Sequence, residues 1–254
     1  MNIAIITGAS SGMGRESARQ LDKIYTDGID EIWLVARRKA RLEELAAELN
    51  HRTRIFPLDL TDDKCIQEFD LTLNLVNPNV KFLVNASGFG VMGKFSAVYA
   101  KEHGEVIRLN CEALTKVTHM VIDYMREGAR ILQFASSAAF MPQPGFAVYA
   151  ASKAYVLSFS RALNAELKER DISVTAVCPG PVNTEFFEIA EKNGTNFHFK
   201  KAFMADKESV VRKAMTDAYH RKDMSVYSLS MNLFLILTKI VPHGLIMFLL
   251  KFFK

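Results

Sequence analysis

Short apolar runs alternate along the chain with stretches whose apolar residues recur at three- and four-residue spacing. Runs of roughly four to eight apolar residues bounded by turn signals read as strands buried on both faces, and the longer spacing reads as helices packed by one face. The runs fall at 3–6, 31–36, 53–60, 81–84, 130–135, 172–177 and 225–228, which predicts about seven strands. Helical patterns fill the gaps. One runs from the glycines near position 14 to about Tyr25, and one carries Leu42, Leu45 and Leu49. Another spans 102–127 with Val106, Leu109, Ala113, Val117 and Val121 on one face. A fourth carries Tyr149 and Lys153 and continues through Phe159, Leu163 and Leu167, and a polar-faced helix covers 206–222. Strict alternation of strand and helix, with no repeat or linker, predicts one α/β domain over 1–254. Its expected core is a doubly wound, Rossmann-like parallel sheet with helices on both faces. The segment 185–204, interrupted by Gly194 and Asn196, has no clear period and suits a cover over a substrate. An apolar helical tail over 229–254 closes the chain.

Composition narrows the function. A chain of 254 residues that is 49% hydrophobic can bury a sizeable core. The formal charge of +4 is spread without long basic runs, so no nucleic-acid partner is expected. Cys65, Cys111 and Cys178 are odd in number, widely spaced and without a C-x-x-C, which argues against a disulfide framework or a metal site. Reduced thiols, and a first strand that follows Met1-Asn2 with no signal-like segment, predict a cytoplasmic protein.

The chemistry concentrates in a few stretches. Val148-Tyr149-Ala150-Ala151-Ser152-Lys153 sets a phenol and an ammonium four residues apart. On a helix they share a face, with Cβ atoms ~5–6 Å apart. A free phenol titrates near ~10. A lysine charge beside it favours the phenolate and lowers that value, which suits a tyrosine that moves protons. Gly8-Ala9-Ser10-Ser11-Gly12-Met13-Gly14 lies between the first strand and the first helix. Gly8 permits a tight turn, Gly12 lets backbone approach a phosphate, and Gly14 lets helix and sheet pack closely. The helix N-terminus offers N–H groups and a positive dipole end to a pyrophosphate. The second strand ends in Ala36-Arg37-Arg38, where NAD-binding chains of this layout commonly place a carboxylate for the ribose. Two guanidinium groups suit the 2′-phosphate of NADP instead, and Arg15 could add charge. Asp59 either accepts a hydrogen bond from adenine or caps the helix starting near Thr61. Asn85-Ala86-Ser87-Gly88 would let a dinucleotide lie close to the backbone, and Asn85 alternatively ties strands together. Asn110, a poor residue for a helix interior, either disturbs its helix and holds a water or is half exposed.

Taken together, Thr7-Gly8-x-x-x-Gly12-x-Gly14, Asp59, Asn85-Ala86-Ser87-Gly88, Asn110, Ser136, Tyr149-x-x-x-Lys153 and Pro179-Gly180 resemble the short-chain dehydrogenase/reductase family over nearly the whole chain. The stretch from Ala135 to Pro144 resembles a bacterial subgroup of general reductases. One residue of the family's usual Asn-Asn-Ala-Gly loop differs here. The resemblance implies a catalytic tetrad of Asn110, Ser136, Tyr149 and Lys153. Ser136 is preferred to Ser137 because it stands thirteen positions before Tyr149. It implies hydride transfer between NADP(H) and a carbonyl or alcohol of a small molecule. In that scheme Ser136 bonds the substrate oxygen, Tyr149 supplies the proton, and Lys153 lowers the tyrosine pKa and holds the nicotinamide ribose. Asn110 positions a water, and Thr184 bonds the carboxamide. The cofactor would lie on Gly8, Ser10, Ser11, Gly12, Met13, Gly14, Arg37, Arg38, Asp59, Leu60, Asn85, Ala86, Ser87, Gly88, Tyr149, Lys153, Pro179, Gly180, Val182 and Thr184. A homodimer or homotetramer is the implied assembly.

Two readings of the tail stand side by side. Its apolar stretches, 229–238 and 240–250, are each too short to cross a bilayer, which takes ~20 apolar residues. They form either a helical cover or dimer contact, or a peripheral membrane anchor in which Lys239, Lys251 and Lys254 accompany the apolar residues. Both suggest a lipophilic substrate. A non-catalytic NADP-binding sensor, or a membrane-surface-associated regulatory protein, on the same fold is the competing class. The complete set of proton-transfer residues weighs against it.

Overall fold

The computed structural model describes residues 1–25, 28–190 and 204–250. Strands β1 (Asn2–Thr7), β2 (Glu31–Val35), β3 (Arg52–Phe56), β4 (Asn79–Asn85), β5 (Arg130–Phe134), β6 (Ser173–Val177) and β7 (Met224–Ser225) form one sheet of order β3-β2-β1-β4-β5-β6-β7. Every neighbouring pair is parallel. The helices are α1 (Gly12–Lys23), α2 (Lys39–Glu48), α3 (Asp63–Val76), α4 (Ala100–Ile107), α5 (Leu114–Ile122), α6 (Ala147–Glu166), α7 (Phe186–Ala190), α8 (Lys207–Tyr219), α9 (Leu229–Ile240) and α10 (His243–Leu250).

Unbroken apolar strands follow from burial on both faces. Alternate strand residues point to opposite sides. Ala4 and Ile6 of β1 therefore join Ala18 and Leu21 of α1, Leu42 and Leu45 of α2, and Val211 and Met215 of α8. Ile3 and Ile5 point the other way, to Phe69 and Leu73 of α3 and Val117 and Val121 of α5. Each fully buried side chain of this size contributes roughly 1.5–3 kcal/mol. Trp33 of β2 anchors the second layer. It lies 5.0 Å from Phe56 and 6.1 Å from Phe69 between ring centroids, with the Arg54 guanidinium 5.1 Å above it.

The differences from the sequence-based expectation have local causes. β3 stops at Phe56, not at Leu60, because Pro57 brings no N–H to the ladder. α3 starts at Asp63, two residues past Thr61, with the Asp62 carboxylate accepting from Lys64 N at 2.8 Å. The helix expected over 102–127 is two helices joined by a π-helical stretch, Arg108–Ala113, and it ends at Ile122. β7 has only two residues, and the chain then turns at Ser228, whose hydroxyl accepts from Met231 N at the start of α9. Of the segment 185–204, Phe186–Ala190 forms the short helix α7, whereas 191–203 lie outside the described residues.

One buried ion fastens α1 to the entry of β3. The Asp22 carboxylate accepts four hydrogen bonds of 2.8 Å, from the backbone and side chains of Asn50 and His51. Burial pushes its pKa up, but the bonds from His51 and Asn50 outweigh it and hold the carboxyl below its ordinary 3.8. A lowered folded pKa stabilises the fold above the unfolded pKa, and this contribution is lost as pH falls through the folded value. Asp22→Ala is expected to cost about 2 kcal/mol at neutral pH in urea unfolding. The gap to the unmodified protein should close in acid, below the ordinary carboxylate range. A gap that does not change with pH would refute this role.

Candidate active site

Strand order reverses about β1 and β4, and in open parallel sheets the crevice at that point takes ligands. A cleft of about 280 Å³ opens there. Its floor is made by backbones in direct contact. At Gly8, with φ +68°, a Cβ would stand 2.8 Å from the Ala86 carbonyl and from Ser87 N. At Gly14 a Cβ would stand 2.4 Å from the Gly8 carbonyl oxygen. Only glycine permits either approach. Ser11 precedes α1 in an extended conformation and does not bond its hydroxyl to the helix's own N–H groups. The first turn of α1 thus keeps donors and a positive dipole end for an anion, and it fits a pyrophosphate.

Charge at the rim is specific. The Arg38 guanidinium bonds Ser10 Oγ at 3.1 and 3.3 Å and the Glu185 carboxylate at 2.9 Å. Arg41 reaches the same carboxylate at 3.8 Å. The hydrogen bond from Arg38 is the chief reason the Glu185 pKa lies below the usual carboxylate value, with Arg41 and Ser11 adding to it. Arg37 stands 3.8 Å from Asp59, whose carboxylate accepts from Thr61 N and Oγ1 at 2.9 and 2.7 Å. Asp59 thus secures its own turn while lining the cleft. Arg15 brings no free charge to the site, since Glu48 at 2.6 Å and Glu44 at 3.6 Å hold it.

Tyr149 and Lys153 lie on α6, both buried. Lys153 Nζ donates to the Phe134 carbonyl at 2.7 Å and sits 5.7 Å from the centroid of the Tyr149 ring. Burial lowers the lysine pKa to about 8. Burial also pushes the Tyr149 phenol up to about 12, against a hydrogen bond from Ser136 that favours the phenolate. This reverses the direction expected from the Tyr-Lys spacing. The cause is an aromatic cover: Phe146 stacks on Tyr149 at 4.2 Å and Phe186 lies at 5.2 Å, between ring centroids. Asn110 is wholly buried in the π-helical stretch. Its amide grips both backbone groups of Phe89, at 3.1 and 2.9 Å, and bonds Ser152 Oγ at 3.0 Å. The clamp brings Gly88 so close that a Cβ there would stand 3.0 Å from Asn110 Oδ1 and 3.3 Å from Lys153 Nζ.

Most of the expected cofactor residues converge on one surface. Gly8, Ser10, Ser11, Gly12, Met13, Arg37, Arg38, Asp59, Leu60, Ala86, Ser87, Gly88 and Thr184 line the cleft. Gly14 acts beneath it. Asn85 bonds Thr7 and Thr118, tying β1, β4 and α5 together. Tyr149 and Lys153 do not line the cleft; Phe186 does, and it contacts the tyrosine ring. Pro179, Gly180 and Val182 do not line it. The Pro179 carbonyl accepts from Ser137 N at 2.8 Å, so this loop braces the turn carrying Ser136. Phe89, Glu185 and Phe186 line the cleft without having been singled out from the sequence. Glu185 stands 147 positions from Arg38, and no local pattern signals their pairing.

Comparison with known proteins agrees with this geometry. Residues 2–194 match the sequence profile described as short chain dehydrogenase. Sulfoacetaldehyde reductase 2 of Chromohalobacter salexigens is 37% identical over 191 residues, which cover 73% of this chain and 74% of that protein. A short-chain dehydrogenase from Sphingobium yanoikuyae, solved in complex with NADPH, superposes with a TM-score of 0.77 at 28% identity, covering 90% of this chain and 89% of that one. A Burkholderia phymatum short chain dehydrogenase/reductase, solved with NAD, shares the fold with a TM-score of 0.79 at 20% identity, covering 93% and 92%.

The aromatic cover has a spectroscopic consequence. Phe186→Ala should open Tyr149 to water and bring its pKa from about 12 toward the ordinary 10. The measurement is an ultraviolet titration of the variant, with the same variant carrying Tyr149→Phe subtracted. An unmoved transition would refute the cover as the cause.

Proposed function

The chain belongs to the short-chain dehydrogenase/reductase family, oxidoreductases of CH–OH and C=O groups that use a nicotinamide dinucleotide, and from that premise we propose that it reduces a lipophilic carbonyl compound with NADPH, reversibly. The observation that carries the cofactor reading is Arg38, which stands just past β2 at the N-terminus of α2, beside Ser10, with its guanidinium at the cleft rim. A forked cation suits a 2′-phosphate, and no carboxylate follows β2 to bond a free ribose 2′-hydroxyl. Glu185 occupies the fork as an internal anion, so the 2′-phosphate competes with it.

In this reading the chain acts as a single catalytic domain. The first turn of α1, Gly12 and the Ala86–Gly88 backbone would hold the pyrophosphate and ribose, and Thr184 would hold the nicotinamide end, while the loop at Pro179 braces the turn of Ser136. The bound nicotinamide supplies the hydride. Ser136 bonds the substrate oxygen and Tyr149 donates the proton to it. Lys153 holds the ribose hydroxyls, and its charge favours the phenolate once the aromatic cover is displaced. Asn110 fixes Phe89 and Gly88 against Lys153 and orders a water toward solvent. The apolar rings of Phe146 and Phe186 beside Tyr149 favour a lipophilic substrate. We place the enzyme in the cytoplasm as a homodimer or homotetramer, with its tail able to touch a membrane.

The test is NADPH oxidation across a panel of carbonyl compounds. Tyr149→Phe should lower turnover by about 10²–10⁴-fold with NADPH affinity unchanged, since general acid catalysis alone is lost. NADPH binding without turnover on any carbonyl would favour a sensor instead. Arg38→Ala should weaken NADPH at least about tenfold while leaving NADH nearly unchanged, the size of one lost charge-assisted bond pair. Glu185→Gln should tighten NADPH relative to NADH. A preference for NADH in the unmodified protein would overturn the cofactor assignment.

A further inference from the structure

We propose that the outward face of α9, continued by α10, is a docking surface for the anionic headgroup layer of a membrane. α9 is apolar on two sides. Its inner side lays Met231, Phe234 and Leu235 on the cluster of Leu114, Phe140, Val156 and Cys178, and buries Thr238. Its outer side carries Leu229, Leu233, Ile236, Leu237 and Ile240 at 77, 58, 51, 48 and 75% exposure. These positions recur at four- and three-residue intervals, so they form one continuous stripe along the helix. Leu245 of α10 adds a further half-exposed apolar side chain. Contiguous exposed apolar side chains of this kind are the mark of an interaction surface.

Charge identifies the partner. No Asp or Glu stands between Asp223 and Lys254, whereas Lys239, Lys251 and Lys254 accompany the apolar residues. Lys239 is exposed beside the stripe. Lipid phosphates would pair such cations, and the anionic leaflet attracts them. A two-fold contact between copies of this face would instead set Lys239 against a segment that holds no carboxylate to pair it. Among the described residues no helix is long and apolar enough to cross a membrane, so the stripe lies on the surface layer. The inner side also touches the proposed catalytic region. Phe234 stands 6.0 Å from Phe140, between ring centroids, in the turn after Ser136. A Cβ on Gly180 would stand 2.8 Å from Met231 Sδ. Docking would therefore bring the loops after β5 and β6 to the lipid boundary, where a lipophilic substrate is concentrated.

The experiment is cosedimentation of the full chain with vesicles of phosphatidylcholine alone or mixed with phosphatidylglycerol. It needs no cofactor or substrate, so its result is independent of the reaction proposed above. The unmodified protein should bind the mixed vesicles. Leu233→Asp combined with Ile236→Asp and Ile240→Asp should bind about tenfold less, with circular dichroism and solution mass unchanged. Point changes on the outer side are used because truncation would also strip the inner side from the core. Should the triple variant misfold, Lys239→Glu serves, and it should weaken binding to the mixed vesicles specifically. The proposal is overturned if the unmodified protein stays in the supernatant with both vesicles, or if the folded variants bind as well as it does. A triple variant of smaller solution mass, from a parent that ignores vesicles, would show that a second copy covers the stripe and would equally overturn it.

Discussion

The architecture depends on a backbone contact that tolerates no side chain. β1 leaves the sheet at Gly8, its turn presses on the Ala86–Ser87 peptide at the end of β4, and α1 begins against the Gly8 carbonyl through Gly14. Because the strands diverge in connection there, a crevice opens above that contact. The helix donors, the glycine backbone and the loop after β4 then face one another across it. A methyl group at Gly8 or Gly14 would meet main chain, which has no alternative rotamer with which to yield. The same contact sets the sheet register that carries Thr7 to Asn85 and, through Asn85, to Thr118.

Two features above this floor are mechanically one. Glu185 holds the guanidinium of Arg38, and its neighbour Phe186 lies against the ring of Tyr149. Adjacent residues of one short segment thus touch both the guanidinium at the cleft rim and the ring buried beside it, so the two contacts share one stretch of backbone.

Much of this was legible in the residues. Strands buried on both faces must be continuous apolar runs, so all seven appeared in order. Their ends were less visible where one atom decides, as at Pro57, whose missing N–H ends β3 early. Asn110 marked a disturbance in its helix, but apolar periodicity on either side concealed that the helix is divided by a π-helical stretch. The glycines and arginines of the cleft were readable because strand ends fix where they stand. The Glu185 contact was not, since it joins distant segments. The tyrosine's acidity was misread because spacing reports which charge is near and says nothing of the rings that exclude water. For α9, periodicity showed an apolar helix, and only burial separates the side that packs from the side that faces outward.

The parallel pairing of β1 with β4 also sets an order of events in folding. Asn2 and Asn79, partners at the start of that ladder, are 77 positions apart. Pairings between such distant segments raise contact order and slow folding. β1 is synthesised first, yet one of its two edges stays open until the chain has been made through Asn85, and an open apolar edge invites pairing with another chain. The floor of the cleft does not exist before that ladder closes. A ligand that recognises the floor binds only chains past this step and draws the population toward them by mass action.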